Sequence, residues 1–293
     1  MFYPPDMKKG FLTFLATAFN TVEVNSSFYH LPLASTFTKW KNETPDDFVF
    51  AVKLSRYITH ELRLQGARKA VVRFLRRAKR LDTKLGPILV QLPPFLRYDE
   101  TLITKFIADL EHANRTLKSK ARFALEPRHA SWMEPENAAR LRTLTAKARI
   151  ALVFPHSAVI PSFRPEAPNI TTDFVYVRFH GPSEFAASLY GSRRLLSWAK
   201  RIHTWLRAGL SVFIYFNNDV HGHAVHDAKT LKRLVGRFTK STSVSRHSSG
   251  LSLTLSRYAK KQPTRRARVR SQSGAREYQP KSESGAGSRQ DGN

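Results

Sequence analysis

The chain has 293 residues, 41% of them apolar, enough to bury the core of one large domain or two small ones. It carries 49 Lys and Arg against 22 Asp and Glu, a formal net charge of +27, and has no cysteine, which excludes disulfides and thiolate metal sites. No run of about 20 apolar residues is present, and the opening "MFYPPDMKKG" lacks the apolar centre of a secretory signal; together these point to a cytoplasmic protein without membrane contact.

Taken in chain order, a helical pattern over 8–19 is followed by a strand candidate at 21–25, "TVEVN", and another at 48–53, "FVFAVK". A helix fits 66–80, a strand 88–92 ("ILVQL"), and a helix 101–114, where Leu102, Ile103, Phe106, Ile107 and Leu110 share one face. Strand "RFALE" (122–126), a helix over 136–148, and strands "IALVF" (150–154) and "FVYVRFH" (174–180) come next. In 194–208 Leu195, Trp198, Ile202, Trp205 and Leu206 form an apolar face, and Gly209 is placed to end that helix. Strand "VFIYFN" (212–217) and a helix over 227–239, with Leu231, Leu234, Val235 and Phe238 on one side, complete the series.

Most strand candidates are short apolar runs ending in a polar residue, the pattern of buried parallel strands. Strand and helix alternate over about 230 residues, which argues for an α/β fold with a parallel sheet. An open doubly wound sheet and a (βα)8 barrel both fit, but no glycine-rich phosphate loop follows any strand, which counts against a nucleotide-binding sheet. Helices open and close the series with seven strands between them, so an eight-stranded barrel needs one more strand ahead of residue 1.

From residue 241 the composition turns to Ser, Arg, Gly and Gln. Residues 241–293 hold 11 Lys and Arg against 3 Asp and Glu. Such a segment buries too little apolar area to offset chain entropy and reads as a disordered basic tail. The expected domains are a barrel over 1–240 and a low-complexity tail over 241–293. Most of the positive excess lies in the barrel portion.

Six motifs occur in order: "FNTVEVNSSFYHLP" (19–32), "TPDDFVFAVKLSRYITH" (44–60), "LGPILVQLPP" (85–94), "EPRHASW" (126–132), "DFVYVRFHG" (173–181) and "YFNND" (215–219). Together they resemble the DUF72, or YecE-like, family over roughly residues 2–238. The resemblance implies a TIM-type barrel and names no activity. Three departures stand out. The family's usual first strand, with its "TSGW" motif, is absent ahead of "MFYPP", so the expectation is a barrel lacking that strand and carrying two unpaired edges. Pro127 stands where an aromatic is common, and the basic tail has no counterpart.

In a barrel the chemistry sits at the C-terminal strand ends. Polar residues cluster there: Glu23 and Asn25, Lys53, Gln91, Glu126 with Arg128 and His129, His156, Arg178 with His180, and Asn217, Asn218 and Asp219. Glu23 and Glu126 suit paired acid/base work, or neutralisation in an ion network with Lys53, Arg128 and Arg178. Lys53 suits a desolvated, Schiff-base-forming amine or an anion holder. Arg128 and Arg178 suit carboxylate or phosphate. His180 and Asp219 complete the candidate catalytic set. Asn25, Tyr29, Gln91, Arg128, His129, Arg178, Tyr190, Asn217 and Asn218 form the candidate substrate-binding set, with Tyr29 and Tyr190 also fitted for packing and Trp132 as a lid. His60 reads as a capping residue.

Glu126, His129, His156, His180 and Asp219 are of a type that suits zinc or manganese, but no local ligand spacing such as HExxH is present, and no metal is assigned. His221, His223 and His226 do not stack on one helical face and read as surface residues.

The leading functional expectation is an enzyme-like pocket for a small anionic, phosphorylated or similar, substrate, with acid/base hydrolysis or isomerisation as the chemistry. The alternatives are a nucleic-acid-associated protein acting through its basic surface and tail, and a truncated or mis-started fragment without function.

Overall fold

The computed structural model describes residues 2–241 and 251–257. Among them are helices α1 (Phe11–Ala18), α2 (Ser26–Tyr29), α3 (Ala34–Asn42), α4 (Arg68–Ala78), α5 (Glu100–Thr116), α6 (Pro135–Lys147), α7 (Gly191–Arg207) and α8 (His223–Ser241). The strands are β1 (Thr21–Val24), β2 (Val49–Lys53), β3 (Leu85–Gln91), β4 (Phe123–Glu126), β5 (Ile150–His156), β6 (Phe174–Phe179), β7 (Ser211–Phe216) and β8 (Leu251–Arg257). All neighbouring strands pair in parallel, in chain order, and β8 returns to β1 to close a barrel. The expected α/β barrel is the fold. α2 and α3 are additions to the expected helices.

Two packing layers follow from the period of two along each strand. Outward residues such as Val22, Phe50, Val52, Ile88, Val90, Val175, Val177 and Ile214 pack against helix residues including Leu75, Phe106, Leu141, Leu195 and Leu231. Inward residues form a separate cluster: Ala51, Leu89, Ala124, Ala151 and Val153 on one side, Phe174, Tyr176, Phe213 and Tyr215 on the other. Three alanines on β2, β4 and β5 thus make room for four aromatic rings from β6 and β7. Tyr215 hydroxyl bonds Thr21 Oγ1 of β1 at 3.0 Å, so the polar tip of a buried ring is satisfied across the barrel.

Local signals set the helix ends. Asp99 caps α5 by accepting from the Leu102 amide at 2.9 Å. Gly209, with φ of 78°, follows α7 as its sequence position implies.

The barrel without the family's usual first strand is the fold; its expected unpaired edges and the extent of its tail need correction. The place of that strand is filled from the other end of the chain. β8 pairs with β7 over Val212–Phe216 against Leu251–Leu255, and with β1 at Glu23 and Val24, so the unpaired edges are absent. The segment 251–257 is therefore strand and not disordered tail, and the boundary expected at 240 cuts through a unit that runs to Ala259. Its sequence, "LSLTLSR", alternates strictly. The leucines stand in register with the outward Val212, Ile214 and Phe216, and the hydroxyl residues with the inward Phe213, Tyr215 and Glu23. The rest of the expected tail lies outside the described residues.

Ending the chain at residue 250 removes β8 and bares the backbone edges of β7 and β1; ending it at residue 259 keeps all eight strands. Thermal unfolding followed by circular dichroism and light scattering should find the first chain destabilised by several kcal/mol or aggregating. The second should melt with the full chain.

Candidate functional site

The inward register that places Ala51, Ala124, Tyr176 and Tyr215 inside the barrel carries one step further to Lys53, Glu126, Arg178 and Asn217 at its C-terminal mouth. Gln91 stands opposite Glu126 on β3, and Glu23 is the last inward residue of β1. Polarity there is not scattered: it falls at the inward ends of β1, β2, β3, β4 and β6 and just past β7.

Arg178 organises these groups. Its Nε and Nη2 donate to the two oxygens of Glu23 at 2.9 and 2.8 Å, and Nη1 donates to Glu126 Oε2 at 2.9 Å. Nη2 also meets Asn217 Oδ1 at 3.4 Å, and Nη1 faces His180 Nε2 at 3.5 Å. All five guanidinium hydrogens thereby have an acceptor. Glu23 also accepts from the Tyr176 hydroxyl at 2.7 Å and from Asn25 Nδ2 at 3.4 Å. Arg128 donates to the other oxygen of Glu126. Both carboxylates are fully buried.

Charge states follow from these contacts. Burial works to raise the Glu126 carboxyl, but Arg128 and Arg178 outweigh it and hold it at about 2. Burial likewise works against the Arg178 cation, and the two glutamates keep it well above its ordinary range. Burial, with Glu23 next, raises the Tyr176 phenol. His180 is pushed well below its usual value by burial and the Arg178 charge, which keeps its ring neutral.

A cavity of about 240 Å³ opens above this network. Arg178, Asn217, Lys53 and His180 face it, with Asn25, Gln91 and Arg128 on its wall and Phe28, Tyr29, His60 and Phe185 around them. Tyr29 and Phe185, 55% and 43% exposed, mark the rim. Phe185 stacks on His180 with centroids 5.5 Å apart and 9° between planes. Gly181 makes that turn possible: its φ is 98°, and a Cβ there collides with the Glu184 carbonyl.

Lys53 is 9% exposed and has no carboxylate within salt-bridge distance among the described residues. Its Nζ lies 4.0 Å from the Phe28 ring centroid. Burial first, then the Arg178 charge, lowers its pKa from 10.5 to about 7, although Glu23 and Glu126 pull the other way. Among the described residues, the two glutamates are matched by two arginines and Lys53 is the cation left over. On the same cavity, Asn217 Nδ2 is buried without a hydrogen-bond partner among the described residues.

Of the expected residues, Asn25, Tyr29, Lys53, Gln91, Arg128, Arg178, His180 and Asn217 line one cavity. Glu23 and Glu126 lie behind it. Four others are placed elsewhere, which corrects their expected positions. Tyr190 is buried, its hydroxyl between His156 and the Gly181 amide. Asn218 turns away to donate to Asp227 at 2.8 Å and to the Ser188 carbonyl at 3.0 Å. Asp219 is exposed on the turn before α8. His129 Nδ1 pairs with Ser131, capping the 3-10 turn Ala130–Trp132. Trp132 is no lid: it is buried, donating to the Leu96 carbonyl at 2.7 Å.

The strand-end reading missed Phe28, Phe185 and the placement of His60. His60 packs edge-on against Phe28, bonds Thr59 Oγ1 through Nδ1 at 2.8 Å, and is lowered to about 4 by burial and by Lys53. The residue types that suit a metal are not brought together: among the described residues no three His, Asp or Glu side chains are grouped to hold one.

A family model described as "Protein of unknown function DUF72" matches residues 1–249. The UPF0759 protein YunF of Bacillus subtilis is 24% identical over 80% of this chain and 89% of its own length. The UPF0759 protein YecE of Escherichia coli K12 is 31% identical over 114 residues, 39% of this chain; the match spans 40% of that relative's length. Among solved structures, a DUF72 family protein of Thermotoga maritima is 25% identical with a TM-score of 0.66, covering 80% of this chain and 92% of that one. One from Enterococcus faecalis is 20% identical with the same TM-score, over 77% and 93%.

Arg178→Met leaves two buried carboxylates without their shared partner. Urea unfolding should show a loss of roughly 3–5 kcal/mol. In the unaltered chain the depressed Glu126 pKa stabilises the fold above the unfolded carboxyl's range near 4.5, and that contribution is lost as pH falls toward about 2. Glu126→Gln should flatten this part of the acid-unfolding profile.

Proposed function

The chain belongs to the DUF72 family, whose description names no activity, and we propose that its barrel mouth is an enzyme-like pocket for a small anionic substrate held against Lys53. The observation that carries this reading is the charge balance of the mouth. Arg178 and Arg128 are committed to Glu23 and Glu126, so among the described residues protonated Lys53 is the positive group left for a ligand. Asn217 Nδ2 offers an unpartnered donor on the same surface, and an unmade buried hydrogen bond is worth roughly 1–3 kcal/mol to whatever acceptor fills it. A carboxylate or phosphate-type oxygen meets both.

The same contacts redistribute the expected roles. Glu126, held at about 2, is an ionised field-setting group and not a proton donor near neutrality. Arg178, with its hydrogens engaged, positions the carboxylates and does not clamp phosphate. The group that changes its proton near pH 7 is Lys53, and His60 and His180 line the pocket as neutral rings.

A second reading, contact with nucleic acid, draws support from α4 and the turn after it. Lys69, Arg73, Arg76 and Arg80 are exposed there, with no acidic residue from Arg68 to Leu81. If this face binds duplex DNA or RNA, affinity falls with salt at a log–log slope of roughly −3 to −4 for four phosphate contacts, and Arg73→Glu with Arg76→Glu abolishes most of it. Absence of binding near 150 mM salt rejects this reading.

For the pocket, thermal-shift measurements with sulfate and with small monocarboxylates, whose own charge is constant between pH 6 and 9, should show stabilisation of several degrees near saturation. Because the cationic form of Lys53 prevails below about 7, the shift should be largest at pH 6 and fade through neutrality. Lys53→Met should remove it. No shift for any anion by the folded chain rejects the pocket.

A further inference from the structure

We propose that Lys53 is a nucleophilic amine that condenses with the carbonyl carbon of a small aldehyde or ketone bearing a carboxylate or phosphate-type group, forming a Schiff base at the barrel mouth. The proposal rests on the small-anion reading of the pocket and names its substrate class.

Position and surroundings carry it. Lys53 is the last inward residue of β2, where barrel chemistry is built, and it faces the 240 Å³ cavity. A lysine used only to neutralise a carboxylate sits in an ion pair. Here the two carboxylates behind the cavity, Glu23 and Glu126, are engaged by Arg178 and Arg128, and no carboxylate reaches Lys53 Nζ among the described residues. One side of the amine is covered by the Phe28 ring at 4.0 Å. Its main chain is fixed by the Ser27 hydroxyl, which donates to the Lys53 carbonyl at 2.7 Å. Desolvation next to a second cation is the environment that activates an amine.

Among the described residues, the groups that face it are Glu23 on β1, Tyr29 on α2, His60 on the turn after β2, Glu126 and Arg128 at the end of β4, and Arg178 and His180 at the end of β6. Of these the carboxylates raise its pKa, while burial and the arginines lower it, leaving both protonation states populated near neutrality.

The step balances within the pocket. The free amine of Lys53 attacks the carbonyl carbon, and the C=O π pair goes to oxygen. A proton from nitrogen passes to that oxygen to give a carbinolamine. The hydroxyl then takes a proton from solvent, equal to the one that protonated Lys53 released on becoming the free amine, and leaves as water as the nitrogen lone pair forms C=N, so the iminium carries the single positive charge that protonated Lys53 carried. That charge stays opposite the substrate's anionic group. Asn217 Nδ2 and the Gln91 amide offer hydrogen bonds to the oxygen, and His180 or His60, both neutral, can relay the proton.

The test uses the full chain at pH 7 with glyoxylate and sodium cyanoborohydride, followed by peptide mapping by mass spectrometry. The expected result is reductive labelling of Lys53 ahead of the other lysines, about tenfold faster than the median surface lysine. Its rate should rise through about pH 7, and uncharged acetaldehyde should show weaker preference. Lys53→Arg should lose the label but keep the anion-induced thermal shift. Labelling without preference for Lys53, with the thermal shift intact, overturns the nucleophile and leaves the anion pocket standing. In the unaltered chain, absence of both preferential Lys53 labelling and the thermal shift overturns both.

Discussion

Arg178 lies between Glu23 and Glu126, three buried charges at the centre of the barrel mouth with every guanidinium hydrogen directed at an acceptor. Removing such groups from water costs several kcal/mol per ion, and the mutual attraction returns this only where the geometry is close to ideal. A network of this kind is weak as a source of stability and strong as a constraint. It fixes which oxygens are ionised and which side chains are immobile. The Tyr176 hydroxyl, Asn25 and the Asn217 carbonyl oxygen are all oriented by it. Because it absorbs both carboxylates and both arginines described at the mouth, the properties of the pocket pass to the group it leaves unmatched among the described residues, Lys53.

The barrel below the network makes this arrangement available. Large rings on β6 and β7 face alanines on β2, β4 and β5, so the interior is filled and the mouth rests on a packed floor. The inward faces of β1, β2, β3, β4 and β6 then each end in a polar residue, with Gln91 opposite Glu126. β8 completes the wall beside Glu23, pairing with it at Ser256. Backbone closure and the charge network therefore meet at one residue.

The sequence already shows much of this, for a stated reason. Strand periodicity carries the inward positions of Glu23, Lys53, Gln91, Glu126, Arg178 and Asn217 directly, so these strand-end residues are legible in the sequence. The alternation stops where strands end. His129, Tyr190, Asn218 and Asp219 follow in turns whose direction it does not set, and none of them lines the cavity. Phe28, His60 and Phe185 come from such turns as well; read alone, an aromatic in a loop is indistinguishable from packing. Asp227, which receives Asn218 and the Tyr190 amide, lies nine residues along on α8, a separation no local pattern links. β8 is the instructive miss: "LSLTLS" has the strand period, but the Ser- and Arg-rich composition around it outweighed the alternation.

The central claim is that Lys53 is the titrating cation of a mouth whose other charges are matched. Its most direct test is the pKa of the Lys53 amine, read from the ¹³Cε shift of lysine-labelled protein against pH and assigned with Lys53→Arg. The account predicts a midpoint near 7, rising when saturating sulfate is added. A midpoint in the ordinary lysine range near 10.5, insensitive to sulfate, would contradict it.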